Sequence, residues 1–331
     1  MPKSKSSRRR LVAGLLALPL ALSAFLSHAA APADFPSKTV KIIVPVAAGG
    51  SADKLTRILA EKLSQRWGQS VVVDNVVGAS GTIGAGKAAK AAPDGYTVLQ
   101  SGEGYALNSI LIPKLAYDPN SAFVGVIKAV VSPQILVVNP DFGVKNFQDY
   151  VALSKHKPGS ISLGLPGSGG IAHVAHELLN KETGGRVNYI PYPGGGPAAV
   201  DVIAGHTNAT LITLAAVSEY VKAGRLKALA VTTPYRSKTL PDVPTIAESG
   251  LPGFQVESWQ GYLLPAGTPP EIVQKINRDI AAILHSPEVK QRLEELGFVV
   301  AGGSSADVDK TISAEKLRYA QVIKSSGISI H

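Results

Sequence analysis

A chain of 331 residues with 45% hydrophobic and 17% charged positions can bury one large core or two medium ones, and its apolar residues are spread too widely for a disordered protein. Five of its 33 Lys and Arg residues fall within the first ten positions, leaving 28 against 24 acidic residues with no polybasic run, which excludes a nucleic-acid-binding face. It has no cysteine, which excludes disulfides, a thiol nucleophile, a thiolate metal site and a lipoprotein anchor.

The basic start (Lys3, Lys5, Arg8, Arg9, Arg10) leads into an uncharged apolar run, Leu11 to Leu26, followed by the small residues Ala29-Ala30-Ala31. This is the layout of a cleavable secretory signal over residues 1–31, and its 16-residue apolar core falls short of the ~20 needed to span a bilayer. Ser7-Arg8-Arg9 leaves the choice between Sec and twin-arginine export open. The expected product is a soluble protein outside the cytoplasm.

Strand-like and helix-like segments then alternate. Thr39–Val44 reads as a strand. Asp53–Trp67 reads as a helix, with Leu55, Ile58, Leu59, Leu63 and Trp67 at helical spacing and Gly68 as a stop. Ser70–Val73 is the next strand, Lys87–Ala92 a short helix and Thr97–Leu99 a strand. This order predicts a parallel α/β sheet. A second unit follows, with strands at Gln134–Pro140, Ile161–Leu165, Val187–Ile190, Ala209–Leu214 and Leu226–Val231. Its helices are Phe147–His156, Ile171–Thr183, Ala198–Gly205 and Val217–Ala223. A strand at Gln255–Leu264 leads to three closing helices, Pro270–His285, Pro287–Leu296 and Ala306–Ser325. Closing helices without strands of their own pack back on an earlier sheet. The expectation is therefore two lobes, the first discontinuous (residues 32–137 plus 258–331) and the second 138–257, with Gln134–Pro140 and Gln255–Leu264 as the two crossing strands.

Three strand-to-helix junctions are rich in glycine. "VPVAAGGSAD" places Gly49 and Gly50 before a helix that Ser51 can cap and whose dipole Asp53 favours. "GSGGIA", Gly167 to Ala172, fits the dinucleotide fingerprint but lacks the acidic residue after the next strand. "PYPGGGPA" is the third. A fourth glycine-rich stretch, "GTIGAGKA", fails as a phosphate loop at Ala88, where a hydroxyl is needed. The first three present backbone N–H groups, and in facing lobes Gly49–Asp53, Gly167–His173 and Gly194–Ala198 would converge on one cleft suited to a carboxylate. His173 and His176 lie three apart without a placed carboxylate, so no metal is expected. His173 is expected to hydrogen-bond a loop or ligand, while His176 and Glu177 read as surface residues. Trp259 either lines the cleft or fills the hinge core.

The order of "FPSKTVKIIVPVAAGGSAD", "VVVDNVVGASGTIGAGKAAKAAPDGYTVL", "HVAHELL", "YPGGGPAAVDVIAGHT", "LPDVPTIAESGLPGF" and "SWQGYLLPAGTP" resembles the Bug (TctC-like) receptors of tripartite tricarboxylate transporters. The resemblance implies a two-lobed α/β, type II periplasmic-binding-protein (Venus-flytrap) fold, each lobe a mostly parallel sheet flanked by helices. It implies a monomer that captures a small carboxylate without catalysis or cofactor and docks on the membrane subunits of the transporter. It places the ligand at Val46, Ala47, Ala48, Gly49, Gly50, Ser51 and Asp53 in one loop, and at Leu165, Gly167, Ser168, Gly169, Gly170 and His173 in the other. Gly194 and Gly195 join them from the third junction. An exported enzyme using a dinucleotide at Gly167–Ala172, or an orphan receptor reporting ligand to a sensor protein, are the alternatives. Ala52 stands where the family favours threonine, Val76-Val77 where Arg-Pro is common, and Leu165, Pro166, Gly170 and Ile171 where hydroxyl residues are frequent. Fewer side-chain donors make a monocarboxylate, or an acid with an apolar body, the expected ligand in preference to citrate.

Overall fold

The computed structural model describes residues 35–326; the signal segment lies outside them. The first half opens with β1 (Val40–Val44), α1 (Ser51–Trp67), β2 (Val71–Asn75), a 3₁₀ turn at Ala79–Gly81, α2 (Thr82–Ala89), β3 (Thr97–Gly102) and α3 (Glu103–Leu111). A 16-residue strand, β4 (Phe123–Val138), follows. The second half contains α4 (Phe147–His156), β5 (Ser162–Pro166), α5 (Ile171–Thr183), β6 (Asn188–Tyr192), α6 (Gly195–Ile203), β7 (Ala209–Thr213), α7 (Leu214–Lys222) and β8 (Lys227–Val231). The chain returns through β9 (Glu257–Pro265), α8 (Pro270–Leu284), α9 (Pro287–Leu296), β10 (Val299–Val300) and α10 (Ser305–Ser326).

Among the described residues the strands run in the order β2-β1-β3-β9-β4-β7-β5-β6, with β8 and β10 also on β4. β1 is parallel to β2 and β3, and β5 is parallel to β6 and β7. β4 joins the two parallel sets. Its Phe123–Pro133 part runs antiparallel to β9, and its Gln134–Val138 part runs antiparallel to β7. Pro133 has no N–H to give to a ladder, and it sits where β4 changes partner. The second crossing runs through Val256, whose N–H donates to Thr232 O at 3.0 Å before the chain enters β9.

The apolar face of α1 (Leu55, Ile58, Leu59, Leu63) packs with Val40 and Ile42 of β1 and with Ile272, Ile276 and Ile280 of α8. A second cluster gathers Leu136, Tyr150, Leu163, Val174 and Leu211. Helix α10 touches both halves: Val308 and Ile312 join Leu99, Trp259 and Leu263, whereas Tyr319 and Ile323 pack in the second cluster.

Some boundaries differ from expectation. β4 begins eleven residues before Gln134, and α3 had no counterpart in the sequence reading. The helix expected at Lys87–Ala92 is α2, five residues earlier. Its segment TIGAGKAA has no apolar stripe because it packs through small residues: a Cβ on Gly84 would lie 3.1 Å from the Pro45 Cα. The stretch that failed as a phosphate loop is therefore a packing helix.

Candidate ligand cleft

Between the halves lies a cavity of about 430 Å³. Six helices begin on its wall. Their N-cap residues, Gly50 (α1), Gly81 (α2), Gly102 (α3), Gly170 (α5), Gly194 (α6) and Thr213 (α7), all line it, and none makes a side-chain capping bond. The first N–H groups of a helix have no partner within it, and each terminus carries a partial positive charge. The cavity is therefore ringed by backbone donors. Among the described residues that line it there is no lysine, arginine or histidine, and the one carboxyl is Glu103.

In the first loop Gly49 adopts φ +82° and donates its N–H to Asp53 Oδ2 at 3.0 Å. Asp53 also accepts from Arg57 Nε at 2.9 Å and from Asn75 Nδ2 at 3.1 Å, and Asn75 donates to Val46 O at 3.0 Å. Burial works against ionisation of Asp53, yet the bonds from Arg57, Gly49 and Asn75 prevail and hold its pKa below the ordinary carboxylate value. Asp53 thus shapes the loop from behind and is not on the cavity wall. Asp53→Ala is expected to unseat Gly49 and Asn75 together, lowering stability by about 1–3 kcal/mol and weakening ligand binding about tenfold. Thermal unfolding and calorimetry on the same preparation check both. Ser51 corrects an expectation: it caps nothing, and its Oγ accepts from Gln260 Nε2 at 2.8 Å.

In the second loop Gly167 and Gly169 take φ +94° and +72°. Gly169 N–H donates to His173 Nδ1 at 3.1 Å, so His173 ties the turn from below and its second ring nitrogen carries the proton. Burial lowers the His173 pKa, with Glu177 opposing, which keeps the ring neutral. The third loop meets the first directly: Ala47 N–H donates to Pro193 O at 3.0 Å. A Cβ on Gly50 would lie 3.4 Å from Gly196 N. Ser80 Oγ donates to Ser168 O at 2.8 Å, and Lys54 Nζ bonds Glu219 Oε2 at 2.9 Å. The halves thus touch around the cavity mouth. Ala79 and Ser80 hold positive φ there (44° and 53°), and Asn108 donates to Ser80 O at 3.0 Å.

Residues 55–328 match the family described as Tripartite tricarboxylate transporter family receptor, TctC. The chain belongs to the TctC family. Its relatives include Protein BugT of Bordetella pertussis, 35% identical over 298 residues that cover 89% of this chain and 91% of BugT. Rpa4515 of R. palustris, solved with adipate, has a TM-score of 0.87 and 35% identity over 89% of this chain and 99% of that one. MatC (Rpa3494) of Rhodopseudomonas palustris, solved with bound malate, has a TM-score of 0.83 and 30% identity over 87% and 100% of the two chains. The family is one of receptors and not of enzymes, and a further neighbour at 32% identity and a TM-score of 0.85, over 89% of this chain and 99% of that one, is the periplasmic binding protein BugD, so the dinucleotide alternative at Gly167–Ala172 is set aside. The two-lobed Venus-flytrap fold is theirs and this chain's. No helix among the described residues is long and apolar enough to cross a membrane.

Of the residues expected to bind ligand in this TctC chain, Val46, Gly50, Ser51, Gly167, Ser168, Gly170, Gly194 and Gly195 line the cavity. Ala47, Ala48, Gly49, Asp53, Leu165, Gly169 and His173 do not. Ala48 and Gly49 border a separate shallow groove with Gly196 and Tyr220, and Leu165 is buried in the core. The sequence reading missed Gly81, Gly102–Tyr105, Asn108, Tyr117, Gln134, Thr213 and Gln260. His176 is also a correction: it is buried, not on the surface, with its ring between Tyr150 Oη at 2.8 Å and Tyr189 Oη at 2.9 Å. Burial, and then His173, push its pKa down to about 3. The signal was present, because Ala172, Ala175, His176 and Leu179 share one face of α5. Trp259 lines the cavity and is buried. Its backbone N–H donates to Glu103 Oε2 at 3.2 Å and its indole to Glu315 Oε2 at 2.8 Å.

Proposed function

We propose that this receptor captures one small organic carboxylate in the cavity between its lobes and hands it to the membrane subunits of a tripartite transporter. The observation that carries the reading is the ring of six helix N-termini, uncapped by side chains, around a space of about 430 Å³ with no basic side chain on its wall. Fixed backbone dipoles of this kind suit an anion that is small and sheltered from water. The bound adipate of Rpa4515 and malate of MatC support a carboxylate class. The first and second loops, with Gly194 and Gly195, grip the carboxylate, either directly or by shaping the turns that do. The lobes comprise residues 32–137 with 258–331, and 138–257, and ligand shifts them from open to closed. The receptor works as a monomer in the periplasm after removal of residues 1–31.

Calorimetry with a panel of mono-, di- and tricarboxylates tests the reading. A monoacid or a dicarboxylate is expected to bind at micromolar Kd or better. Binding of citrate alone, or of no acid in the panel, would overturn it.

A further inference from the structure

Two glutamines border the cavity, one on each strand that links the halves: Gln134 on β4 and Gln260 on β9. Both are almost fully buried, at 1% and 6% exposure. Each amide uses its nitrogen on a hydroxyl at the start of a helix. Gln134 Nε2 donates to Thr213 Oγ1 at 2.9 Å, and Gln260 Nε2 donates to Ser51 Oγ at 2.8 Å. Each is left with a buried oxygen that has no partner. A buried acceptor without a donor is costly, so it is rarely retained unless something satisfies it. The same ring of helix termini that suits the carboxylate leaves these two oxygens as acceptors for the rest of the molecule.

We infer that Gln134 and Gln260 are specificity-determining residues that read a hydroxyl or other hydrogen-bond donor on the body of the acid. This deepens the carboxylate reading and rests on it. A hydrocarbon acid offers no donor, and neither does a second carboxylate, so both leave the amides unpaired. Sites built to pair a substrate hydroxyl reject the analogue that lacks it more strongly than apolar pockets reject an added group. The ligand is therefore an acid that carries a hydroxyl or comparable donor on its body, which moves away from the apolar body that the lost hydroxyls of the loops suggest on their own.

The test is calorimetry with two matched series. The first is hexanoate, its 2-, 3- and 6-hydroxy derivatives and adipate. The second is benzoate and its hydroxy derivatives. At least one hydroxylated acid is expected to bind tenfold or more tightly than its parent and than adipate. Gln134→Leu and Gln260→Leu are expected to shrink that ratio toward one, because the hydroxylated acid loses more affinity than its parent does. Gln134→Met and Gln260→Met replace either variant that fails to fold. The inference is overturned if a parent acid or adipate binds as tightly as the best hydroxylated acid, or if the ratio survives in the folded variants. In that case the carboxylate reading stands. If no acid of either series binds while another acid of the wider panel does, the inference falls and the carboxylate reading stands; if no acid of any panel binds, both fall.

Discussion

Gly196→Ala is expected to weaken carboxylate binding at least a hundredfold while leaving the protein as stable as before or more so. Gly196 is the second residue of α6, where its backbone is ordinary, and alanine is favoured over glycine inside a helix by up to about 1 kcal/mol. Nothing in its own lobe opposes the change. The obstacle lies across the cleft: the added Cβ would overlap the Ala48 carbonyl oxygen and sit 3.2 Å from the Gly49 carbonyl carbon. These are backbone atoms and cannot rotate aside. The substitution therefore penalises the arrangement in which the lobes touch and spares any arrangement in which they are apart. If ligand is held only by the closed form, apparent affinity falls with the population of that form, and a hundredfold loss corresponds to about 2.7 kcal/mol. Gly50→Val is expected to be milder, because Gly50 has φ −79° and its Cβ would meet Gly196 N at 3.4 Å. Its effect is also on closure, more than on approach of the ligand. Calorimetry, with a thermal melt on each variant, separates binding from folding. Full affinity in Gly196→Ala would show that the contact between Ala48 and α6 is not needed to hold the ligand.

The second large effect concerns Glu315. This carboxyl on α10 is raised from an ordinary 4.5 to about 7, first by burial and then by the charge of Glu103; the Trp259 indole, Lys128 and Arg318 offset only part of this. Burial raises Glu103 as well. For a carboxyl whose pKa is higher in the folded chain than in the unfolded one, the native state holds the extra proton. Its contribution is complete below pH 4.5 and is lost as pH rises through about 7. The difference is worth about 3 kcal/mol at 1.36 kcal/mol per unit, an order-of-magnitude value. Glu315→Gln removes the titration and retains an acceptor for the indole N–H. The variant is expected to be about 2–3 kcal/mol more stable than the parent at pH 8 and nearly equal to it at pH 4.5. Urea unfolding at both pH values decides the matter. Equal stability at pH 8 would mean that the folded protein hydrates the Glu315 carboxylate well.

Several helices were legible because their apolar stripes and stops announce them. Phe147–His156, Ile171–Thr183 and Pro287–Leu296 have the bounds their stripes and stops suggest. The start of β4 was hidden by Pro133, which reads as a boundary and is in fact the point where one strand trades one ladder for another. Three of the six helix starts at the cleft carry paired or tripled glycines and could be picked out. Of the other three, Gly81 opens the stretch set aside as a failed phosphate loop, and Gly102 and Thr213 look like ordinary turns. Gln134 and Gln260 sit in strands with no local mark at all. Their place on the cavity wall follows from how β4 and β9 pair, and that is a property of the assembled sheet.

The absence of a basic side chain on the cavity wall has a consequence for how such a receptor changes over generations. Its attraction for an anion is written in the path of the main chain, which single substitutions on the wall leave in place. Side chains on the wall such as Tyr117 can then change with less effect on that pull than on the fit of the rest of the molecule. Each such change alters which acid is welcomed without forfeiting the pull on acids in general. A scaffold of this kind is open to retuning from one nutrient to the next by a few replacements on the wall.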